Sequence, residues 1–420
     1  MDEWGDRRAG RMTGRSIALV GSGGSSGRTL AIVEAALRAR LGDIAVRFID
    51  TQPFNLRTGG RTAYDGGGEV RVASMAAAGL RRYTGSWSTN MLLNGGPMMT
   101  RRLARHARDL LGGRHDAMIL CHDRIYIETA LIGAARASGT PTVLVQEGPF
   151  CAIGSPAPQT WRLRAKAALA PIVTATGLLP VMPDYGCAGH ELITAVSDAY
   201  RARWIAAGVP GERIAVTGVP RYDRLAGLRG EFSGTGDVLR LLYIVQPFAA
   251  HGKVDGQEAA RLQAVLADGI NRAATERPIA VTVRMHPRSG GADAAVLTGG
   301  LAGAYVVDDG AAPLEDAVMR HDLIVGHYSS GLLESVLLGR PVLCLPVAAA
   351  AFAEASEAEK QAWLVRTGVA VADTAERVAA VLMGGVRGVI DRALIAEETG
   401  VVDGGAAARC AEAVAGVMVA

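Results

Sequence analysis

Short apolar runs alternate with longer helical patterns along the whole chain. Residues 16–20 (SIALV) read as a first strand, followed by a glycine–serine loop at 21–27 and an amphipathic helix at 28–41. A second strand covers 44–49. Periodicity then fades, and the glycine-rich residues 50–96 are expected to form a long, mobile loop region. The pattern resumes with a helix at 97–111, a strand at 116–121, a helix at 126–137 and a strand at 142–146. A strand at 192–196, a helix at 198–207 and a strand at 214–217 follow, and the polar stretch 228–237 reads as a linker. Beyond it come strands at 241–245, 280–285, 305–307, 322–325 and 341–345, with helices at 257–275, 313–320 and 330–338. From residue 355 the tail is mostly helical.

Strands alternating with covering helices predict parallel sheets. The fold class expected is α/β: two Rossmann-like, doubly wound domains facing a cleft. The first domain is placed at residues 1–227 and the second at 238–400, with a C-terminal helix in 401–420 packing back on the first. Such sheets bind ligands at the carboxyl ends of their strands, which is where candidate chemistry is sought.

Composition narrows the class. The chain has 420 residues, enough for two domains. Hydrophobic residues make up 49% but aromatics only 5%, so the core is built from Ala, Val, Leu and Ile. With 44 basic and 41 acidic residues the net charge is +3, too balanced to predict nucleic-acid binding. The first half is nevertheless richer in arginine, at Arg57, Arg61, Arg71, Arg81, Arg82, Arg101 and Arg102. An acidic or membrane-bound acceptor would suit that side, and a solvated surface explains it too. Five cysteines without a CxxC spacing argue against a disulfide framework or a zinc site. No signal peptide and no transmembrane segment is read, so a cytoplasmic enzyme is expected. The apolar stretch at 167–182, broken by Pro171, Gly177 and Pro180, leaves room for peripheral membrane contact.

Four segments carry candidate chemistry. Gly21–Gly27 joins a strand to a helix, and its glycines admit close approach of a ligand. Gly23, Gly24 and Ser25 are assigned there to an acceptor or sugar, together with Arg221. The spacing fits a dinucleotide fingerprint only loosely, and Asp50 is the one acidic residue at the end of the second strand. A tight turn explains the loop equally. In Gln146-Glu147-Gly148, Glu147 stands at a strand end where a carboxylate serves as general base, or where a surface glutamate turns the chain. In Arg284-Met285-His286-Pro287-Arg288 the proline ends a strand and leaves His286 at its tip between two arginines, a setting suited to phosphate. The strongest segment runs from His321 to Leu343. Ser329, Ser330 and Gly331 open its helix as a phosphate cradle, with His327 just before them and Glu334 one turn in, where ribose hydroxyls would bind. A serine N-cap with a capping-box glutamate explains the helix but not His327. Gln246, after the strand 241–245, completes the nucleotide set of Arg284, Arg288, His327, Ser329, Ser330, Gly331 and Glu334. Asp308-Asp309 is expected to lie near the base, and no metal site is expected.

These motifs in this order resemble GT-B sugar transferases. The likeness rests on a strand ending in His286-Pro287 and, some forty residues later, on a strand, Ser329-Ser330 and a helix closing in Leu338-Gly339-Arg340-Pro341. It is closest to bacterial polysialyltransferase-like and Kdo-transferase-like enzymes that use CMP-sugars. The turn at Val216-Thr217-Gly218-Val219-Pro220-Arg221-Tyr222-Asp223 is also similar to one shared by GT-B enzymes, UDP-GlcNAc 2-epimerases and glycerophosphate transferases. The resemblance implies an inverting, metal-independent glycosyltransferase with Glu147 as general base, His286 assisting the leaving phosphate, and Ser329 with Ser330 on the nucleotide phosphate. It implies no cofactor beyond a CMP- or UDP-linked sugar as co-substrate, and a carbohydrate or small-molecule acceptor. The Ala-, Gly- and Arg-rich composition suggests a bacterial source and a polysaccharide or natural-product pathway. Two departures stand out. The acidic motif, Gln146-Glu147-Gly148, has one carboxylate, and residues 50–96 match no known pattern. An epimerase of the same fold is the alternative, though its TGTRPE-like opening loop is replaced by GSGGSSGR. A non-enzymatic subunit is the third reading, opposed by the joint presence of the candidate residues.

Overall fold

The computed structural model describes residues 14–419 apart from 56–59, 86, 125, 150–152, 154–167, 169–171, 173–181, 231–235, 249–251, 287–288, 354 and 385–387. Arg288, and the 167–182 stretch but for Ala168, Ile172 and Met182, therefore lie outside the described residues. The chain forms two compact units, Met1–Arg221 with Glu397–Ala420, and Tyr222–Ala396.

The first unit is built on seven parallel strands: β1 (Arg15–Gly21), β2 (Ile44–Asp50), β3 (Glu69–Val72), β4 (Ala117–Leu120), β5 (Thr142–Val145), β6 (Leu192–Ala195) and β7 (Ile214–Val216). Their order is β3-β2-β1-β4-β5-β6-β7, so the winding reverses between β1 and β4. Strands β4, β5 and β6 are buried along their whole length, which is why they read as unbroken apolar runs. On one face Ile17, Leu19, Ile119, Val143 and Val145 pack against Leu30, Val33 and Leu37 of the helix Ser26–Leu41. Cys410, Ala411 and Val414 of the C-terminal helix Ala406–Val419 fill the same core. The returning chain is fastened just before that helix. The Ser197 hydroxyl donates to the Glu397 carbonyl at 2.5 Å, and Glu398 accepts from Tyr200 Oη at 2.5 Å and from Arg203 at 2.7 Å.

Residues 50–96 depart from the long loop expected of them. They contain a 3-10 turn (Gln52–Phe54), strand β3 and the helix Trp87–Leu93. Strand β3 pairs in parallel with β2, from Arg47↔Glu69 to Asp50↔Val72. It is an edge strand whose residues are mostly exposed, so it carries no apolar run to reveal it. The chain before it is anchored: the Tyr64 ring stacks on Phe48 at 3.8 Å and its hydroxyl donates to Glu34.

The second unit repeats the plan with β8 (Leu239–Ile244), β9 (Ile279–Arg284), β10 (Tyr305–Asp308), β11 (Leu323–Gly326), β12 (Val342–Cys344) and β13 (Ala370–Val371), in the order β10-β9-β8-β11-β12-β13. These six strands pair in parallel throughout, and the winding reverses between β8 and β11. The helices Gly256–Ala274 and Ala375–Leu382 meet where Gly269 leaves room for Val378: a Cβ on Gly269 would lie 2.5 Å from it. The unit begins at Tyr222, ahead of the linker placed at 228–237, because Arg224 in the helix Asp223–Leu228 pairs with Glu315 and Asp316.

Glu398→Ala removes the acceptor shared by the buried Tyr200 hydroxyl and the Arg203 guanidinium. It is expected to destabilise the protein by about 2–4 kcal/mol, whereas Tyr200→Phe costs about 1 kcal/mol. Urea midpoints at constant slope measure both.

Candidate functional site

In the first unit the reversal of winding brings together the loop after β1, residues 121–123 after β4 and residues 146–148 after β5. Glu147 and His122 pair there, with His122 Nε2 3.6 Å from Glu147 Oε1. The imidazole is 42% exposed and the carboxylate 17%. Partial desolvation opposes protonation of His122, but Glu147, with Glu128 and Asp123 behind it, outweighs that and pushes its pKa up to about 9. At neutral pH the pair is an imidazolium beside a carboxylate.

The residues around this pair hold it in place. Gln146 is buried; its amide donates to the Gly148 carbonyl at 3.2 Å and its oxygen accepts from Val196 N at 3.0 Å. Arg221 donates through Nε to the Glu147 carbonyl at 3.0 Å. A Cβ on Gly148 would lie 3.2 Å from the Arg221 guanidinium, so the glycine makes way for it. Arg221, expected on an acceptor or sugar, thus clamps through Nε the backbone that carries Glu147. Asp123 is fully buried, accepting from Gly186 N at 2.9 Å and facing His190 Nε2 at 3.2 Å. Three buried oxygens on these adjacent strand ends, Ser22 Oγ, Asp123 Oδ1 and Glu147 Oε2, have no hydrogen-bond partner among the described residues. An unpaired buried polar atom costs about 1–3 kcal/mol and calls for a partner from solvent or from a bound molecule.

The glycine–serine loop divides its residues between packing and exposure. Gly21 and Gly27 are spent on packing, since a Cβ would lie 2.5 Å from Phe48 and 1.9 Å from the Ala63 carbonyl respectively. Gly23 is closed over by Gln52. The Ser26 hydroxyl staples the turn, donating to the Gly23 carbonyl at 2.7 Å and accepting from Ser22 N at 3.1 Å. Gly24 is exposed and Ser25 half-buried. Asp50 accepts from Arg61 Nε at 2.6 Å, from Thr62 Oγ1 at 2.7 Å and from Gln52 N at 3.1 Å. Its carboxylate is used to tie down the chain at 61–62 and is not offered to a ribose.

In the second unit the strand order sets Gln246, after β8, between His286, after β9, and Ser329–Gly331, after β11. Ser329 caps the helix Ser330–Leu337, its Oγ accepting from Leu332 N at 3.3 Å. The N–H groups of Ser330 and Gly331 have no acceptor among the described residues, which leaves the positive end of the helix open to an anion. Ser330 is exposed, Ser329 and Glu334 are half-buried, and Gln246 Oε1 is buried without a partner among the described residues. His286 is half-buried, and its carbonyl accepts from Ser289 N at 2.7 Å.

Two residues expected on the nucleotide are spent elsewhere. Arg284 is buried, its guanidinium on Asp308 at 2.6 Å and on the carbonyls of Gly310 and Ala312. It braces the turn after β10. His327 is buried, with Nδ1 2.9 Å from the Leu345 carbonyl and Nε2 3.0 Å from Tyr243 Oη. Burial pulls its pKa down to about 4, so it is neutral, donating to the carbonyl and accepting from the phenol. Both ring nitrogens are committed within the protein, and His327 fixes the turn that precedes Ser329.

His122, Asp123 and Glu128 did not emerge from the sequence. The available signal was positional: a polar pair, His122-Asp123, directly after an apolar strand in a parallel sheet.

The pairing makes a titration testable. The folded pKa of His122, about 9, lies above its ordinary value of 6.5. The stabilisation from the pair is therefore full below pH 6.5 and lost as pH rises through about 9. The His122 imidazole should titrate near 9 by NMR in the native protein and fall back by at least a unit in Glu147→Gln, which should also lose the decline in stability over that interval.

No family model matches the chain, and no curated protein matches it. Solved structures similar to it include the UDP-GlcNAc 2-epimerase of Neisseria meningitidis bound to UDP-GlcNAc, at 12% identity and TM-score 0.51 over 96% of this chain and 99% of that one. The UDP-GlcNAc 2-epimerase of Methanocaldococcus jannaschii is similar at 13% identity and TM-score 0.54, over 93% and 97%. The glycotransferase of kitacinnamycin is similar at 14% identity and TM-score 0.54, over 96% and 99%. At these identities the likeness concerns the fold, and the chain has the GT-B fold of two Rossmann-like units.

Proposed function

We propose that the protein is an inverting, metal-independent glycosyltransferase that moves a sugar from a nucleotide-sugar donor to an acceptor hydroxyl. The observation that carries this reading is Glu147, a carboxylate at a parallel strand end with one oxygen paired to His122 and the other buried without a partner among the described residues. The acceptor hydroxyl donates to Glu147, which takes its proton as the acceptor oxygen attacks the anomeric carbon. The bond from that carbon to the phosphate oxygen breaks on the opposite face, and its electron pair stays on the phosphate. His122, protonated at neutral pH, orients the carboxylate. In the second unit the first-turn N–H groups of Ser330 and Gly331 and the Ser329 cap hold the nucleotide phosphate, and His286 donates to it as its charge grows. Gln246 and Glu334 serve the nucleoside, with Arg284 shaping the turn after β10. Gly24 and Ser25 are the loop groups left for the acceptor.

A second reading is a sugar-nucleotide 2-epimerase. An imidazolium beside a carboxylate could also remove and return protons on a sugar, and enzymes of that kind share the fold. Incubation with UDP-GlcNAc alone separates the two. An epimerised or free sugar formed without an acceptor supports epimerisation, and turnover that requires an acceptor supports transfer.

Glu147→Gln is expected to lower kcat roughly 100- to 10,000-fold, the usual worth of a general base. Nucleotide affinity, read by calorimetry, should change less than about twofold, since the nucleotide contacts lie on the other unit. Undiminished turnover in that variant rejects Glu147 as the base.

A further inference from the structure

We propose that the helix Pro97–Leu111 and the corner before it form a docking surface for an anionic lipid membrane. This surface is independent of the reaction proposed above. Between Glu69 and Asp109 the chain has no acidic residue, yet it carries Arg71, Arg81, Arg82, Arg101, Arg102, Arg105 and Arg108. Arg101, Arg105 and Arg108 are spaced four and three apart, and all are exposed, so they form one stripe along the helix. The opposite face, with Met99, Leu103, Ala107, Leu110 and Leu111, is in the core. None of the three stripe arginines pairs with a carboxylate among the described residues.

The stripe runs into an apolar corner. Met98 is 52% exposed at its start, and Leu92 and Leu93, each 54% exposed, close the helix Trp87–Leu93 just before it. The chain carrying Arg81 and Tyr83 is fastened to the same corner. Arg81 N donates to Asn94 Oδ1 at 2.9 Å, Tyr83 N donates to Asn90 Oδ1 at 2.7 Å, and Arg102 donates to the Gly79 carbonyl at 2.8 Å. Tyr83 is itself 48% exposed.

Arginines alone would describe a solvated surface, and exposed leucines alone a protein contact. Their combination matches a bilayer surface, where apolar side chains enter the acyl boundary, a tyrosine sits at headgroup level, and guanidinium groups lie on lipid phosphates. A soluble polyanion would have no use for Leu92, Leu93 and Met98. No helix among the described residues is long and apolar enough to cross a membrane, so the contact is peripheral.

Co-sedimentation of the full chain with lipid vesicles tests this. Binding is expected to vesicles containing about one-third phosphatidylglycerol at low salt, to weaken as salt screens the charges, and to be negligible on phosphatidylcholine alone. Each arginine removed should lower the partition coefficient roughly fivefold, so Arg101→Gln/Arg105→Gln/Arg108→Gln together lower it ~100-fold. Leu92→Ser/Leu93→Ser should lower it at least about tenfold. All five positions are exposed, and unchanged thermal melts confirm that the variants are folded. The proposal is overturned if the native chain ignores the anionic vesicles, or if either variant binds them as the native chain does. Undiminished vesicle binding by Leu92→Ser/Leu93→Ser in particular would mark the surface as a site for acidic polymers.

Discussion

A parallel strand buried on both faces has no place along its length for a polar side chain that must meet a ligand. Chemistry in such a sheet is confined to the strand ends, and the carboxyl edge is where the following helices begin and their N–H groups point outward. Both units obey this constraint. Strands β4, β5 and β6 are sealed from end to end, and the first polar positions after β4 and β5 are His122, Asp123, Gln146 and Glu147. In the second unit β11 is sealed as well, and Ser329 and Ser330 follow it after two intervening residues.

The same edge concentrates a structural demand. Where strands stop and chains turn, backbone groups lose their ladder partners and need others. Many of the polar residues there answer that need. Arg284 holds the carbonyls of Gly310 and Ala312, Arg221 holds that of Glu147, and His327 ties Tyr243 to Leu345. Gln146 bridges Gly148 and Val196. Three of them position a candidate site residue: Gln146 and Arg221 set Glu147, and His327 sets the turn leading to Ser329. A strand-end motif is thus a pair of roles, one residue bracing and the next presented. In Gln146-Glu147 and in His327-Tyr328-Ser329 the order of the two roles follows the chain.

Only some features of the fold were legible in the sequence. Apolar strands such as residues 16–20 and 142–146 announce themselves because burial on both faces demands continuous Val, Ile and Leu. Strand β3 stayed hidden because an exposed edge needs no such run. The two-residue strand β13 is too short to leave a pattern. In the site, Glu147, His286 and Ser329 stood out through position after a strand and before a turn or helix. His122 did not, because its importance rests on β4 lying beside β5 and on a carboxylate 3.6 Å away, which local spacing does not encode.

By itself the sequence determined the α/β class, the repeated winding and the strand ends where polar chemistry falls, because these depend on local periodicity and on what burial permits. Tertiary structure alone decided which polar side chains are spent on holding backbone and which are left outward. It alone paired His122 with Glu147, closed Arg284 and His327 into the interior, and aligned the arginines of the helix Pro97–Leu111 with an exposed apolar corner. The physical reason is that a hydrogen bond or an ion pair is a relation between residues distant in the chain, fixed only when strand order and packing bring them within reach.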